Sequence, residues 1–563
     1  MPDLSGFFQD ILFAALLVLR LICPLLAALI VWKAFSSLRH HRRNEQPLIL
    51  LHNQVTRDNI PVMYWENSIG RSRNSDIVLA DDTVSRDHAV LMRRDDGWLV
   101  SDTGSKSGVF VNNKKIKERT PVYPGDVIRV GATPLAVKTI DRPFKTKASW
   151  FFDRRGEKKS IRPSSLLMLV TILHFLMCIQ ICLGSGTFDY EPLIPFALLT
   201  VASWGFFLVS FKVLKRVSFE LETLALFLSG TGIVLVSGVR ISETYTQLAA
   251  LALGMVLYCV LIRFMENADR VMRFRIVISL CAIGLLAVNL LLGVVRNGSK
   301  NWIVIGPVSI QPSEFVKLAL IFVGASTLER LQTAKNLTEF IVFSAICIGA
   351  LFWMGDFGTA CIFFLTFLII SFMRSGDLRT IILICAAAVF GAFLILQFKP
   401  YIANRFAAWR HVWEYADSLG FQQSRVLMYA ASGGLFGVGP GNGNLKYVAA
   451  STNDLVFGMM CEELGLLFAL IAALSIAGLA LYAWAGSSRT RSTFYSIASC
   501  SAGGLLVFQS CLNIFGATDL LPLTGVTLPF VSLGGSSMMA VWGLLAFIKA
   551  SDERTYAARR KKA

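Results

Sequence analysis

"LPLTGVTLPFVSLGGSS", Leu521 to Ser537, decides how this chain is read. It lies near the end of an oily sequence, yet it carries two prolines, three glycines, two threonines and three serines. Irregular backbone at membrane depth survives only where protein or a cavity, not lipid, surrounds it. The stretch therefore predicts an outward-facing mouth shaped by Pro522, Thr524 and Pro529. Its "SLGGSS" portion offers small residues for close helix packing.

Working outward, the setting is a membrane. The 563 residues are 54% hydrophobic and 16% charged, with mean hydropathy +0.59. The formal net charge of +17 would suggest nucleic acid in a soluble chain. Here the bases cluster at the ends of apolar runs, so positive-inside loops beside anionic lipid explain them and no nucleic acid is expected. The eleven cysteines lie in or beside apolar runs and form no CxxC, which fits small buried hydrophobes. The first run, Ile11–Trp32, has Asp3 and Asp10 before it and "RHHRR" (Arg39–Arg43) after it. That polarity reads as an uncleaved anchor, with Arg20 facing a partner helix.

Twelve further spans are expected: Ser165–Leu183, Leu193–Phe211, Leu224–Val239, Thr246–Ile262, Ile276–Val295, Glu314–Leu328, Thr338–Met354, Thr359–Met373, Ile381–Leu396, Leu455–Trp484, Phe494–Phe515 and Thr527–Ile548. With the anchor they make thirteen, and loop charge places the N-terminus outside and the basic C-terminus in the cytoplasm.

Between about Pro47 and Ile140 the texture changes to short alternating runs separated by turns, as in a small β-sandwich. Within it, "GRSRNSDIVLADDTVSRDHAVL" (Gly70–Leu91) and "DTGSKSGVFVN" (Asp102–Asn112) resemble the forkhead-associated (FHA) domain, a phosphothreonine-peptide reader. The resemblance implies phosphate contacts from Arg71 and Ser85, with Arg86 adjacent and His88 structural. A guanidinium fork and a hydroxyl suit a dianionic phosphate. Where the family has asparagine in the second loop, this chain has Ser107, a shorter group with fewer donors.

The outer loops carry the chemistry. In "IQPSEFVKLAL", Gln311, Ser313, Glu314 and Lys317 crowd the start of a helix, with Pro312 at its entrance. Glu314 and Lys317 share one face, either as a local ion pair or as the polar wall of a cavity. Asp356 in "WMGDFGTACIFF" reads as a turn and helix cap, or as part of the same wall. The longest outer segment, about Phe398–Asn453, holds Lys399, Arg405, Arg410, Arg425 and Lys446, suited to an anionic headgroup. "TNDLVFGMMCEELGLLF" brings Asp454, Glu462 and Glu463, and "FQSCLNIFGATDL" brings Gln509 and Asn513 just before the opening stretch.

"QPSEFVKLA", "GDFGTA", "NDLVFGMMCEELG" and "PLTGVTLPFVSLGGSS", in that order, resemble the SEDS family, the FtsW/RodA/SpoVE group of bacterial cell-wall polymerases. The resemblance implies a SEDS fold of about ten core spans plus about three extra, here the anchor and the pair before residue 223. It implies the substrate lipid II (undecaprenyl-pyrophosphate disaccharide pentapeptide), a class B penicillin-binding protein as partner, and an essential aspartate in the large outer loop. The matching position is Asp417 in "WEYADSLGFQQSR", with Glu414 the local competitor; Ser418 stands where the family has proline, and Lys300 where it often has arginine. The pieces then divide as anchor 1–46, FHA 47–141, linker 142–164, extra helices 165–222, polymerase 223–550 and tail 551–563. No metal site is read; a divalent cation is the one open cofactor. The expected class is a polytopic α-helical membrane protein with a cytoplasmic all-β FHA sandwich. A lipid II transporter and a non-catalytic division or sporulation scaffold stay open beside the polymerase.

Overall fold

The computed structural model describes residues 4–40, 47–72, 75–94, 97–140, 162–184, 188–214, 218–296, 299–306, 308–327, 334–375, 382, 384–386, 406–487, 490 and 492–560. The alternating segment forms β1 (Ile49–Asn53), β2 (Asn59–Val62), β3 (Glu66–Gly70), β4 (Ile77–Val78), β5 (Ala89–Arg94), β6 (Gly97–Asp102), β7 (Val109–Val111), β8 (Lys114–Lys115), β9 (Thr120–Val122), β10 (Val127–Val130) and β11 (Thr133–Lys138). They make two sheets, ordered β2-β1-β11-β10-β7-β8 and β4-β3-β5-β6-β9. Alternate residues such as Leu51, Ile69, Leu91, Val100, Ile128 and Leu135 point inward and fill one core. The sandwich agrees with the expectation from sequence.

The membrane part holds α1 (Leu4–His40), α2 (Pro163–Gly184), α3 (Leu193–Lys212), α4 (Glu220–Ser237), α5 (Ile241–Met265), α6 (Ala268–Leu292), α7 (Pro312–Thr327), α8 (Ala334–Trp353), α9 (Phe357–Ser375), α10 (Phe421–Gly433), α11 (Val456–Glu463), α12 (Leu466–Ser487), α13 (Thr493–Ala517) and α14 (Gly535–Arg560). Among the described residues, eight helices are long and apolar enough to cross a membrane, and two shorter apolar ones cover Thr338–Trp353 and Phe357–Met373. The expected span Ile381–Leu396 falls largely outside the described residues.

α4 is central: every residue of its apolar window is buried. Glycine lets it touch the opening stretch, because a Cβ on Gly232 would fall 2.1 Å from the Val531 carbonyl oxygen. The buried Lys549 ammonium ties α14 to the α4 end, lying 3.1 Å from Glu222 and donating to the Ser218 carbonyl at 2.7 Å.

Three expectations need correction. The span expected at Leu455–Trp484 is two helices, α11 and α12, broken at Gly465. Gly465 sits at φ +89°, and a Cβ there would meet the Leu435 carbonyl oxygen at 2.3 Å. The last helix starts at Gly535 rather than Thr527, since the prolines and the Phe530 backbone at φ +68° keep the preceding stretch irregular. Between α6 and α7 the chain is no plain loop but a meander of β12 (Val294–Arg296), β13 (Ser299–Ile305) and β14 (Val308–Ile310). Its alternation was hidden beside longer apolar runs.

Candidate functional site

Pro312 opens α7, where its missing N–H costs nothing, and places Glu314 in the first turn at the positive end of the helix. One turn on, the Lys317 ammonium lies 2.8 Å from Glu314, and both side chains are almost wholly buried. Lys317 also donates to Gln509 Oε1 on α13 at 3.1 Å. Gln509 in turn donates to the Thr527 carbonyl at 3.0 Å and hydroxyl at 3.2 Å. A chain of polar contacts therefore runs from α7 through α13 into the opening stretch.

That stretch is held by its neighbours rather than by a helix of its own. Asn513 donates to the carbonyls of Asp454 at 2.9 Å and Val526 at 2.7 Å. The Ser532 hydroxyl donates to the Asn453 carbonyl at 2.6 Å. Gln247 of α5 donates to the Ser532 carbonyl and accepts from the Gly534 N–H. The backbone groups freed by the prolines are thus partly re-satisfied by side chains of a protein interior. Thr524 lies beside the start of α9, where a Cβ on Gly358 would sit 3.1 Å from its carbonyl oxygen, and the Pro522 carbonyl oxygen lies 3.5 Å from where a Cβ on Gly516 of α13 would sit. The close approach between helices expected at "SLGGSS" falls instead at Gly254 of α5, which faces Met539 and Trp542 of α14; Gly535 has only the Ala250 methyl, at 3.7 Å from where its Cβ would sit.

Asp356 is a helix cap, as expected, and it also gathers two side-chain amides. One carboxylate oxygen accepts from the Thr359 N–H at 3.2 Å and caps α9. The other accepts from Asn301 at 2.9 Å and Gln311 at 3.1 Å. Among the described residues, five buried polar atoms here have no hydrogen-bond partner: Asn301 Oδ1, Ser313 Oγ, Glu314 Oε2, Asn513 Oδ1 and Thr524 Oγ1. Unused capacity of this kind calls for a polar partner, such as water or a ligand.

The other expected residues sit elsewhere. Glu462 spends both oxygens on backbone N–H groups of Asn444, at 2.7 Å, and Leu445, at 2.9 Å. Glu463 accepts from the Gly441 N–H at 2.7 Å, so this acidic pair holds the glycine-rich loop. Arg410 stacks its guanidinium over Trp409, 5.3 Å from the ring centre, and its backbone N–H donates to the Asp519 carboxylate at 3.1 Å. Asp417 is 97% exposed, with Arg425 at 3.9 Å. Glu414 instead pairs with His411 at 3.2 Å. Lys300 donates to the Leu290 carbonyl at 2.6 Å. Arg405 lies outside the described residues. Asn301, Gln247, Thr527 and Ser532 were not singled out from sequence. Their amides and hydroxyls carry no charge pattern, and only the contacts reveal them. Among the described residues no three His, Cys, Asp or Glu side chains gather as a metal site.

In the sandwich, the Arg71 guanidinium is exposed and pairs with Asp82 at 2.5 Å. The Ser85 hydroxyl accepts from the Lys106 N–H at 3.1 Å, while the Ser107 hydroxyl donates to the Thr83 carbonyl at 2.5 Å. Arg86 anchors the loop through its backbone, its carbonyl accepting from the Ser72 N–H at 3.2 Å. The His88 ring bridges the Ser85 N–H at 2.9 Å and the Gly108 carbonyl at 3.2 Å, the structural role expected of it.

These features define a multi-pass membrane protein whose bundle encloses a buried polar network, joined to an FHA sandwich. The family model of FtsW/RodA/SpoVE, described as cell cycle protein, matches residues 197–556, and an FHA domain model matches residues 67–131. The chain belongs to the FtsW/RodA/SpoVE family. It is 34% identical over 273 residues to stage V sporulation protein E of Bacillus subtilis, covering 45% of this chain and 72% of that protein. It is 28% identical to the probable peptidoglycan glycosyltransferase FtsW of the same organism, over 60% of this chain and 91% of that one. Among solved structures, a chain from work on structural coordination of polymerization and crosslinking by a peptidoglycan synthase complex shares the fold. Its TM-score is 0.51 at 24% identity, covering 60% of this chain and 98% of that one.

Proposed function

We propose that the chain is a peptidoglycan glycosyltransferase that polymerises lipid II at the outer face of a bacterial plasma membrane. The observation that supports this best is the buried Glu314–Lys317–Gln509 chain, with unused polar atoms at Ser313, Glu314, Asn513 and Thr524 beside it. A bilayer-embedded protein rarely keeps such groups unless they meet a polar substrate or cofactor. In this reading Asp417 takes the proton of the acceptor hydroxyl as it attacks the donor sugar. Bases of the same segment, the exposed Arg410 and the half-buried Arg425, stabilise the departing pyrophosphate. Exposure of Asp417 fits a group that meets its substrate from the outer loop rather than from the core.

The N-terminus lies outside, and the FHA domain and C-terminus are cytoplasmic, as the loop charges favour. The FHA domain reads a phosphothreonine protein and regulates the polymerase. A class B penicillin-binding protein cross-links the nascent strand. The test is purified full-length protein, with and without such a partner, fed labelled lipid II. Glycan ladders that disappear in Asp417→Ala support the reading. Flipping of lipid II without ladders would replace it with transport, and neither activity would leave a scaffold.

A further inference from the structure

The FHA domain does not hang free of the bundle. Glu66, the first residue of β3, is a charged strand residue that is 97% buried, with a relative exposure of 3%. Its carboxylate accepts from the Thr493 N–H at 2.9 Å and from the Ser492 hydroxyl at 3.3 Å. These are the cap and first turn of α13, and Ser492 makes no side-chain cap bond of its own. Arg94 on the neighbouring strand lies 3.4 Å from Glu66 and balances its charge. Beside it, Trp65 meets Tyr495 edge-to-face, with ring centres 6.5 Å apart, and packs against the membrane core. Tyr495 in turn donates its hydroxyl to the Met265 carbonyl at the end of α5.

We propose that Trp65, Glu66 and Arg94 form an intramolecular docking face by which the FHA domain caps α13 and sets the position of Gln509 and Asn513. The physical case is a foreign cap. The first N–H groups of a helix need acceptors, and a carboxylate there also complements the helix dipole. α13 takes that acceptor from another domain. Gln509, the partner of Lys317, lies about 24 Å further along the same helix at 1.5 Å per residue. A rigid helix passes a shift at one end to the other.

The same strand reaches the phosphate loop. β3 ends at Gly70, directly before Arg71. A Cβ at Gly70 would fall 2.0 Å from the Arg86 carbonyl oxygen, so the strand end and the phosphate loop are packed tightly together. The docking face and the loop are thus opposite ends of one strand about 16 Å long. This deepens, and rests on, the reading that the FHA domain regulates the polymerase.

The test is hydrogen exchange, read by mass spectrometry, on full-length protein in lipid nanodiscs. Glu66→Ala, and independently Trp65→Ala, are expected to speed exchange at the Thr493–Ser496 amides about fivefold to tenfold, the size of a lost cap. Protection in β5 and β6 stays unchanged, which shows that the sandwich still folds. Unchanged exchange at Thr493–Ser496 in both variants would overturn the docking. The second arm measures glycan polymerisation: Glu66→Ala is expected to change the rate at least threefold relative to wild type. Faster exchange with an unaltered rate would overturn the transmission to the site. A wild type that makes no glycan would instead defeat the enzymatic reading, while exchange still judges the docking. Failure to bind phosphothreonine peptide defeats only the reader role.

Discussion

Replacing Lys317 with methionine probes the centre of the site. The side chain keeps its length but loses its charge, leaving Glu314 without its cation and Gln509 without its donor. At 2.8 Å and an effective dielectric constant of about 20, the attraction between unit charges is about 6 kcal/mol. Desolvating two ions offsets most of that gain, so the intact pair contributes little net stability. Breaking it is different, because one buried charge then remains, at a cost of about 3–5 kcal/mol. The double variant Glu314→Gln/Lys317→Met removes both charges and is expected to lie within about 2 kcal/mol of wild type. The coupling energy should therefore reach at least about 4 kcal/mol, well beyond the ~0.5 kcal/mol scatter of independent sites. Reversible unfolding of the four proteins in mixed micelles, followed by tryptophan fluorescence, measures the cycle. A single-variant cost below about 1 kcal/mol with additive effects would refute a buried, paired charge at this position.

Gly465→Ala should destabilise by more than about 1 kcal/mol, because alanine is strained at φ +89° and its methyl collides with the Leu435 carbonyl. The same unfolding titration checks it, and a neutral result would mean that the α11–α12 break is not fixed by this residue. In the FHA domain, Arg71→Ala should abolish phosphothreonine-peptide binding by calorimetry. Asp82→Ala should tighten it by up to about fivefold, since an exposed pair worth at most about 1 kcal/mol no longer competes. The Asp81 carboxyl is held below the usual range by the hydroxyls of Thr83 and Thr133 and by the Thr83 N–H. A depressed folded-state value contributes stability above the unfolded value of about 3.9, lost as pH falls through the folded one. Protection of the Thr83 and Ala132 amides, measured relative to the intrinsic exchange rate at each pH, should therefore fall only below about pH 4; a loss of protection near neutrality would contradict this.

Much of the architecture was legible in local patterns. Period-two alternation marked the sandwich between Pro47 and Ile140, and long apolar runs marked α2 to α5 and α13 within five residues, while α6 begins eight residues ahead of the expected Ile276 because its first two turns are rich in charge. Both signals depend on neighbours in the chain, so one sequence suffices to see them. The composition of Leu521–Ser537 likewise announced backbone that lipid cannot surround, and that stretch is irregular as far as Gly534, half-buried over Leu521–Thr524 and mostly buried from Val526 to Ser532. Glu314 and Lys317 could be paired in advance because three residues apart on a helix is one face.

What only the tertiary structure decided involves partners far apart in sequence. Lys317 finds Gln509, Asn301 finds Asp356, Gln247 holds Gly534, and Glu66 caps Thr493. Uncharged amides and hydroxyls have no periodic signature, and their meaning comes from which backbone group the fold brings within hydrogen-bond reach. The same holds for Glu462, whose acidity suggested substrate but whose oxygens are taken by Asn444 and Leu445 N–H groups. Sequence named the chemical groups, because composition and spacing constrain them locally. The fold chose their partners, because burial compels each polar group to find one.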